Sequence, residues 1–199
     1  MAQLVLTSDT LAGTPATGTL EYNGQFYGTD SAAARAQMQR ITLATAVAST
    51  SGTSITFTSI PAWVKKITMM LSGVSGSGTQ VMQVQLGTGG VATTSGYAAS
   101  AGIFVTGNVC SANSLTTGFA FNTTGGGGGT QTWSGLVTFV SISGNTWVCS
   151  AQVTDTTNVR MGSGGGVISL AGVLDTVRLT TIGGTDTFDA GSVNILYEG

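Results

Sequence analysis

Met82-Gln83-Val84-Gln85-Leu86 alternates apolar and polar side chains residue by residue, and that two-residue period decides the fold. Successive side chains of a strand point to opposite faces, so Met82, Val84 and Leu86 share one face while Gln83 and Gln85 share the other. The same alternation recurs in Ser54-Ile55-Thr56-Phe57-Thr58 and in Thr176-Val177-Arg178-Leu179-Thr180. One apolar and one polar face is the pattern of antiparallel sheets. Outward from these segments, Gly and Ser divide residues 41–199 into about ten short runs with no amphipathic helix between them. The expectation is an all-β, antiparallel β-sandwich over residues 41–199, jelly-roll-like in its strand number. Ser143-Gly144-Asn145 reads as a tight hairpin between two apolar strands, and Gly125–Gly129 and Gly164–Gly166 read as surface loops.

Residues 1–40 read differently, as an extended N-terminal arm. Gln3-Leu4-Val5-Leu6-Thr7 is a short strand-like run. Leu20-Glu21-Tyr22-Asn23-Gly24-Gln25-Phe26-Tyr27 places Asn-Gly between strand formers, the strongest local hairpin signal. Asp30-Ser31-Ala32-Ala33-Ala34-Arg35-Ala36-Gln37-Met38-Gln39-Arg40 predicts a short helix, capped by Asp30 or Ser31. The arm has too few bulky apolar residues for a core of its own. Leu4, Leu6, Leu20, Tyr22, Phe26 and Tyr27 are therefore its expected attachment residues, docking on a neighbouring subunit or a larger particle.

Charged residues make up only 7% of the 199-residue chain, against about 25% in ordinary globular proteins, while hydrophobic residues reach 41%. The replacing residues are Gly, Thr, Ser, Asn and Gln, a surface suited to meeting other subunits because low charge promotes association. Net charge is −2 and the six basic residues are scattered, so no cluster exists to neutralise phosphates and no nucleic-acid partner is expected. No apolar run approaches the roughly 20 residues of a membrane span, and the N-terminus lacks the basic and apolar regions of a signal peptide. Assembly in a cytosol, without membrane insertion, is the expectation. Cys110 and Cys149 read as buried, reduced thiols, with a disulfide across the sandwich as the alternative.

The inventory of reactive groups points away from catalysis. There is no histidine, which removes Ser-His-Asp and Cys-His arrangements within one chain. Neither cysteine has a CxxC partner, and the five-glycine run lacks the lysine and helix of a phosphate loop. Asp186 and Asp189 lie close together in sequence; they read as turn-stabilising residues, with a calcium site and two-acid glycosidase chemistry as the alternatives. No enzyme activity and no cofactor or metal is expected. Among the aromatic residues, Trp63, Trp133, Trp147, Tyr97 and Tyr197 are candidates for stacking on sugars. At least two tryptophans are assigned to the core, which leaves Tyr97, in Thr94-Ser95-Gly96-Tyr97, as the expected receptor-contact loop residue.

Three segments carry a resemblance. Gly18-Thr19-Leu20-Glu21-Tyr22-Asn23-Gly24-Gln25-Phe26-Tyr27 resembles a hairpin common in bacteriophage tail-fibre and appendage proteins. Thr53-Ser54-Ile55-Thr56-Phe57-Thr58-Ser59-Ile60-Pro61-Ala62-Trp63-Val64-Lys65-Lys66-Ile67-Thr68 is similar to a segment of phage virion-surface proteins. Asp175–Thr180 and Gly184–Ile195 look like the end of the same group. The resemblance implies a homotrimeric virion component with an N-terminal attachment region and a β-sandwich. Its partners would be other phage virion proteins of the tail or capsid and a glycan or protein of the host surface. A short tail fibre is the leading expectation, a trimeric capsid decoration (cement) or head-fibre protein the alternative, and a polysaccharide depolymerase a remote third.

Overall fold

The computed structural model describes the chain apart from residues 1–10, 12–13, 15, 24, 31, 33, 107–108 and 124–130, and the side chain of residue 109. Leu4, Leu6 and the Gly125–Gly129 run thus lie outside the described residues. The chain divides into two compact units, Met1–Arg40 and Ile41–Gly199. The described residues are all-β, without a helix, so none is long and apolar enough to cross a membrane.

The first unit holds a three-stranded antiparallel sheet of β1 (Leu20–Tyr22), β2 (Phe26–Thr29) and β3 (Arg35–Gln37), in that order. Tyr22 pairs with Phe26, so β1 and β2 are joined through residues 23–25 rather than by a two-residue turn. The helix expected over residues 30–40 is replaced by a turn and β3. Asp30 does cap, but its Oδ1 accepts the N–H groups of Ala32 and Ala34, both at 2.9 Å, within a turn. Beyond it Arg35 runs extended and its guanidinium meets Glu21 at 2.7 Å across the sheet. An isolated helix this short is marginal in water, and strand pairing with β2 wins.

The second unit runs through β4 (Ile41–Leu43), β5 (Val47–Ala48), β6 (Ser54–Phe57), β7 (Lys66–Gly76), β8 (Met82–Thr88) and β9 (Val91–Ala92). It continues with β10 (Ala98–Val105), β11 (Val109–Leu115), β12 (Phe119–Ala120), β13 (Trp133–Ser143), β14 (Thr146–Asp155), β15 (Arg160–Ser169), β16 (Thr176–Thr181) and β17 (Phe188–Glu198). Nine of these strands form one antiparallel sheet in the order β11-β10-β15-β14-β13-β7-β17-β4, with β5 also on β17. The other five form a second sheet, β12-β8-β16-β6, with β9 on β8. One hydrophobic cluster draws on both sheets, as a sandwich requires.

The alternation read from the sequence is what fills this core. Ile55, Phe57, Val84, Leu86, Val177 and Leu179 point inward from the small sheet, and Ile67, Met69, Val137, Phe139 and Ile195 meet them from the large one. The β13–β14 hairpin turns through Gly144 and Asn145, with Gly144 at φ +52°. β13, β14 and β15 follow one another by hairpins while β10 returns beside β15, a Greek-key order.

Gly164–Gly166 is not a loop. These glycines lie in the middle of β15, paired with Ala101–Ala99 on one side and Ala151–Cys149 on the other. Glycine is required at 162 and 164 because the backbone of residues 120–121 lies against the inner face of β15. A Cβ on Gly162 would stand 2.1 Å from the Phe121 carbonyl oxygen, and one on Gly164 2.0 Å from that of Ala120.

Candidate functional site

The outer face of the nine-stranded sheet is a surface that the core does not account for. Registry places its outward side chains in rows across six strands. One row runs Gly102, Ser163, Gln152, Leu136, Met70 and Asn194. A second joins Phe104 to Met161, and a third carries Val167, Val148 and Val140 to Lys66 and Glu198. Phe104 is 55% exposed, Met161 57% and Leu136 50%. A groove of about 440 Å³ opens among Phe104, Met161, Ser134, Gln152 and Ser163. The only charges in these rows are Lys66 and Glu198, which pair with each other at 2.8 Å. Interfaces deplete charge at their centre and enrich Met and aromatic residues in this way.

The sequence held a signal for this face. Leu136-Val137-Thr138-Phe139-Val140 is apolar at both parities, and a strand covered on both sides reads as such a run. Val137 and Phe139 serve the core, and Leu136 and Val140 are left for something else.

The expected arm residues fall in the first unit. Leu20 and Phe26 are exposed there, and the rings of Tyr22 and Phe26 lie 4.9 Å apart. The Tyr27 hydroxyl reaches the Gln25 side-chain oxygen at 3.4 Å. Leu20, Tyr22, Phe26 and Tyr27 thus share one small hairpin.

Tyr97 is not a surface contact. It is 3% exposed, its ring edge packs on Phe119 at 4.9 Å, and its hydroxyl accepts the Leu86 N–H at 2.8 Å. The carbonyl oxygens of Thr93 and Leu86 receive its proton, at 3.1 and 3.2 Å. Burial pushes this phenol above its ordinary pKa, so it stays a neutral clamp on the β8 backbone. Tyr97→Phe should lower stability by about 1–3 kcal/mol, because the Leu86 N–H loses its partner in a dry site. Chemical denaturation checks this, and a loss under about 0.5 kcal/mol would show that the clamp is idle.

Trp133 and Trp147 are buried, as assigned, and Trp63 is half-buried with its ring 5.8 Å from that of Tyr197. Cys149 is buried and burial pushes its thiol up, whereas Cys110 is exposed, contrary to the expectation of two buried thiols; both are free. Asp186 acts on the distant loop after β7, and Asp189 on β7 itself. Asp186 accepts the Gln80 N–H at 2.9 Å, its carboxylate lying where a Gly78 side chain would be, and Asp189 accepts the Ser75 hydroxyl. Buried Asp155 collects the N–H groups of Thr132, Thr157 and Asn158. Asp175 accepts the Thr176 hydroxyl at 2.7 Å, which holds its carboxyl below the usual range. Among the described residues no group of three His, Cys, Asp or Glu side chains is placed to hold a metal ion. No family model, curated protein or solved structure matches the chain.

Proposed function

We propose that this chain is a structural, non-enzymatic component of a bacteriophage virion, a short fibre-like appendage that works as a homotrimer. The arm of residues 1–40 docks on other virion proteins, and a jelly-roll-like sandwich faces the host surface. The observation that carries the reading is the outer face of the nine-stranded sheet, whose rows are apolar and hydroxyl-bearing and hold only the paired charges Lys66 and Glu198. Such a face is suited to burial against further copies of the same chain, in a ring of three closed by head-to-tail contacts. The overall net charge of −2 opposes association little. The three resembling segments supply the virion context, and the Greek-key order of β10 and β13–β15 agrees with a jelly-roll-like sandwich.

Sedimentation equilibrium of the purified full chain tests the assembly. Three copies are expected, and the double variant Leu136→Lys, Met161→Lys should sediment as a monomer with unchanged far-UV circular dichroism. Both positions are about half exposed, so each lysine is tolerated in the monomer and repels its counterpart in the oligomer. A monomeric wild type, or a variant that assembles normally, overturns the proposal.

A further inference from the structure

The outer face of the small sheet is built on a different chemistry from that of the large one. β8 and β16 turn Val84, Leu86, Val177 and Leu179 inward, which leaves Gln83, Gln85, Arg178 and Thr180 on the other side. These are not ordinary solvent-facing residues: Gln83 and Gln85 are almost fully buried. Residues 53–54, Thr94, Thr117 and 181–184 wall them in, and a cleft of about 230 Å³ remains above Arg178.

The floor of the cleft is fixed by hydrogen bonds. The Thr117 hydroxyl donates to Gln83 Oε1 at 2.9 Å, and Gln85 Nε2 donates to the Thr117 carbonyl at 2.7 Å. That orientation turns Gln85 Oε1 toward Arg178, whose Nε and Nη2 both donate to it. A neutral amide oxygen is therefore the guanidinium's partner. The ion pairs Arg35–Glu21 and Lys66–Glu198 do not involve Arg178.

We propose that this cleft binds one carboxylated sugar residue, of the hexuronate class, with its carboxylate on the Arg178 guanidinium. Arginine matches a carboxylate in charge and planar geometry, and the amide and hydroxyl groups around it match ring hydroxyls. The cleft's volume fits one ring, and its hydrogen-bonding walls extend well beyond what a bare inorganic anion engages. The proposal deepens the appendage reading by naming the host-surface chemistry recognised, and rests on that reading only for the ligand's source.

Sodium glucuronate titrated into the full chain, followed by amide NMR shifts, tests it. Saturable shifts at Arg178, Thr117 and Thr181 are expected, with a dissociation constant of about 1 mM. Glucose, which lacks the carboxylate, and inorganic phosphate, which lacks the ring, should each bind at least about tenfold more weakly. Arg178→Gln should cause a similar loss. Thr94→Trp, which breaks none of the hydrogen bonds of the floor, should block the cleft and abolish the shifts while leaving the melting temperature unchanged. No saturable binding of glucuronate, equal binding of phosphate or glucose, or binding unaffected by both variants overturns the proposal. A trimer that fails to bind glucuronate sinks the ligand and spares the assembly, whereas a monomer that binds it does the reverse.

Discussion

Gly164→Val should be among the most destabilising single changes in the sandwich, although valine is a better strand former than glycine. Propensity alone would favour the substitution by up to about 1 kcal/mol. The contact decides otherwise. A Cβ at this position would stand 2.0 Å from the Ala120 carbonyl oxygen and 3.3 Å from that of Ser100. Neither atom is the end of a flexible side chain. Ala120 is fully buried and held in register opposite Gln83, so relief requires β12 to part from β8 or β15 to leave the sheet. Overpacking of flexible cores costs about 1–3 kcal/mol, and a clash with two backbones belongs at or above the upper end. For a chain of this size about 3 kcal/mol corresponds to a fall in melting temperature of roughly 6–12 °C. Ser163→Val, on the outward side of the same strand, should stay within about 1 kcal/mol of wild type. If thermal denaturation finds the two variants alike, close approach of residues 120–121 to β15 is not why the glycines are there.

That position also shows where the sequence is readable and where it is not. Ile55 and Phe57, Val84 and Leu86, and Val177 and Leu179 were legible because a two-residue period within one strand fixes which side chains share a face. Nothing local distinguishes a glycine that permits a loop from one that permits close packing of a distant segment, and Gly164 is the second kind. Tyr97 follows the same logic. Ser95-Gly96 marks a turn, but the hydroxyl's partners in β8 and the ring's neighbour Phe119 are set by tertiary packing. In the arm, Asp30 is a genuine capping residue whose cap closes a turn instead of a helix. The outward Leu136 and Val140 were visible as a break in alternation, whereas the Arg178 cleft depends on Thr94 and Thr117 arriving from separate loops.

Phe119→Ala should cost about 3–5 kcal/mol, since the fully buried ring leaves a cavity that its neighbours fill only in part. The ring sits on β12 at the edge of the small sheet, opposite Val84 of β8, and ties the two layers together. On one side the Tyr97 ring meets it edge-on at 87° with centroids 4.9 Å apart; on the other Phe139, from the large sheet, lies at 5.8 Å. Each such aromatic pair contributes about 0.5–1.5 kcal/mol beyond the area it buries. Removing Phe139 as well should therefore cost less than the sum of the two single losses, because the second truncation deletes a contact the first has already removed. A double-mutant cycle in denaturant, with a coupling energy of about 0.5–3 kcal/mol, is the expected outcome. Strict additivity of Phe119→Ala and Phe139→Ala would mean that the two sheets are held by area alone. In that case the Tyr97–Phe119–Phe139 series would have no more bearing on their alignment than any other buried residues of the core.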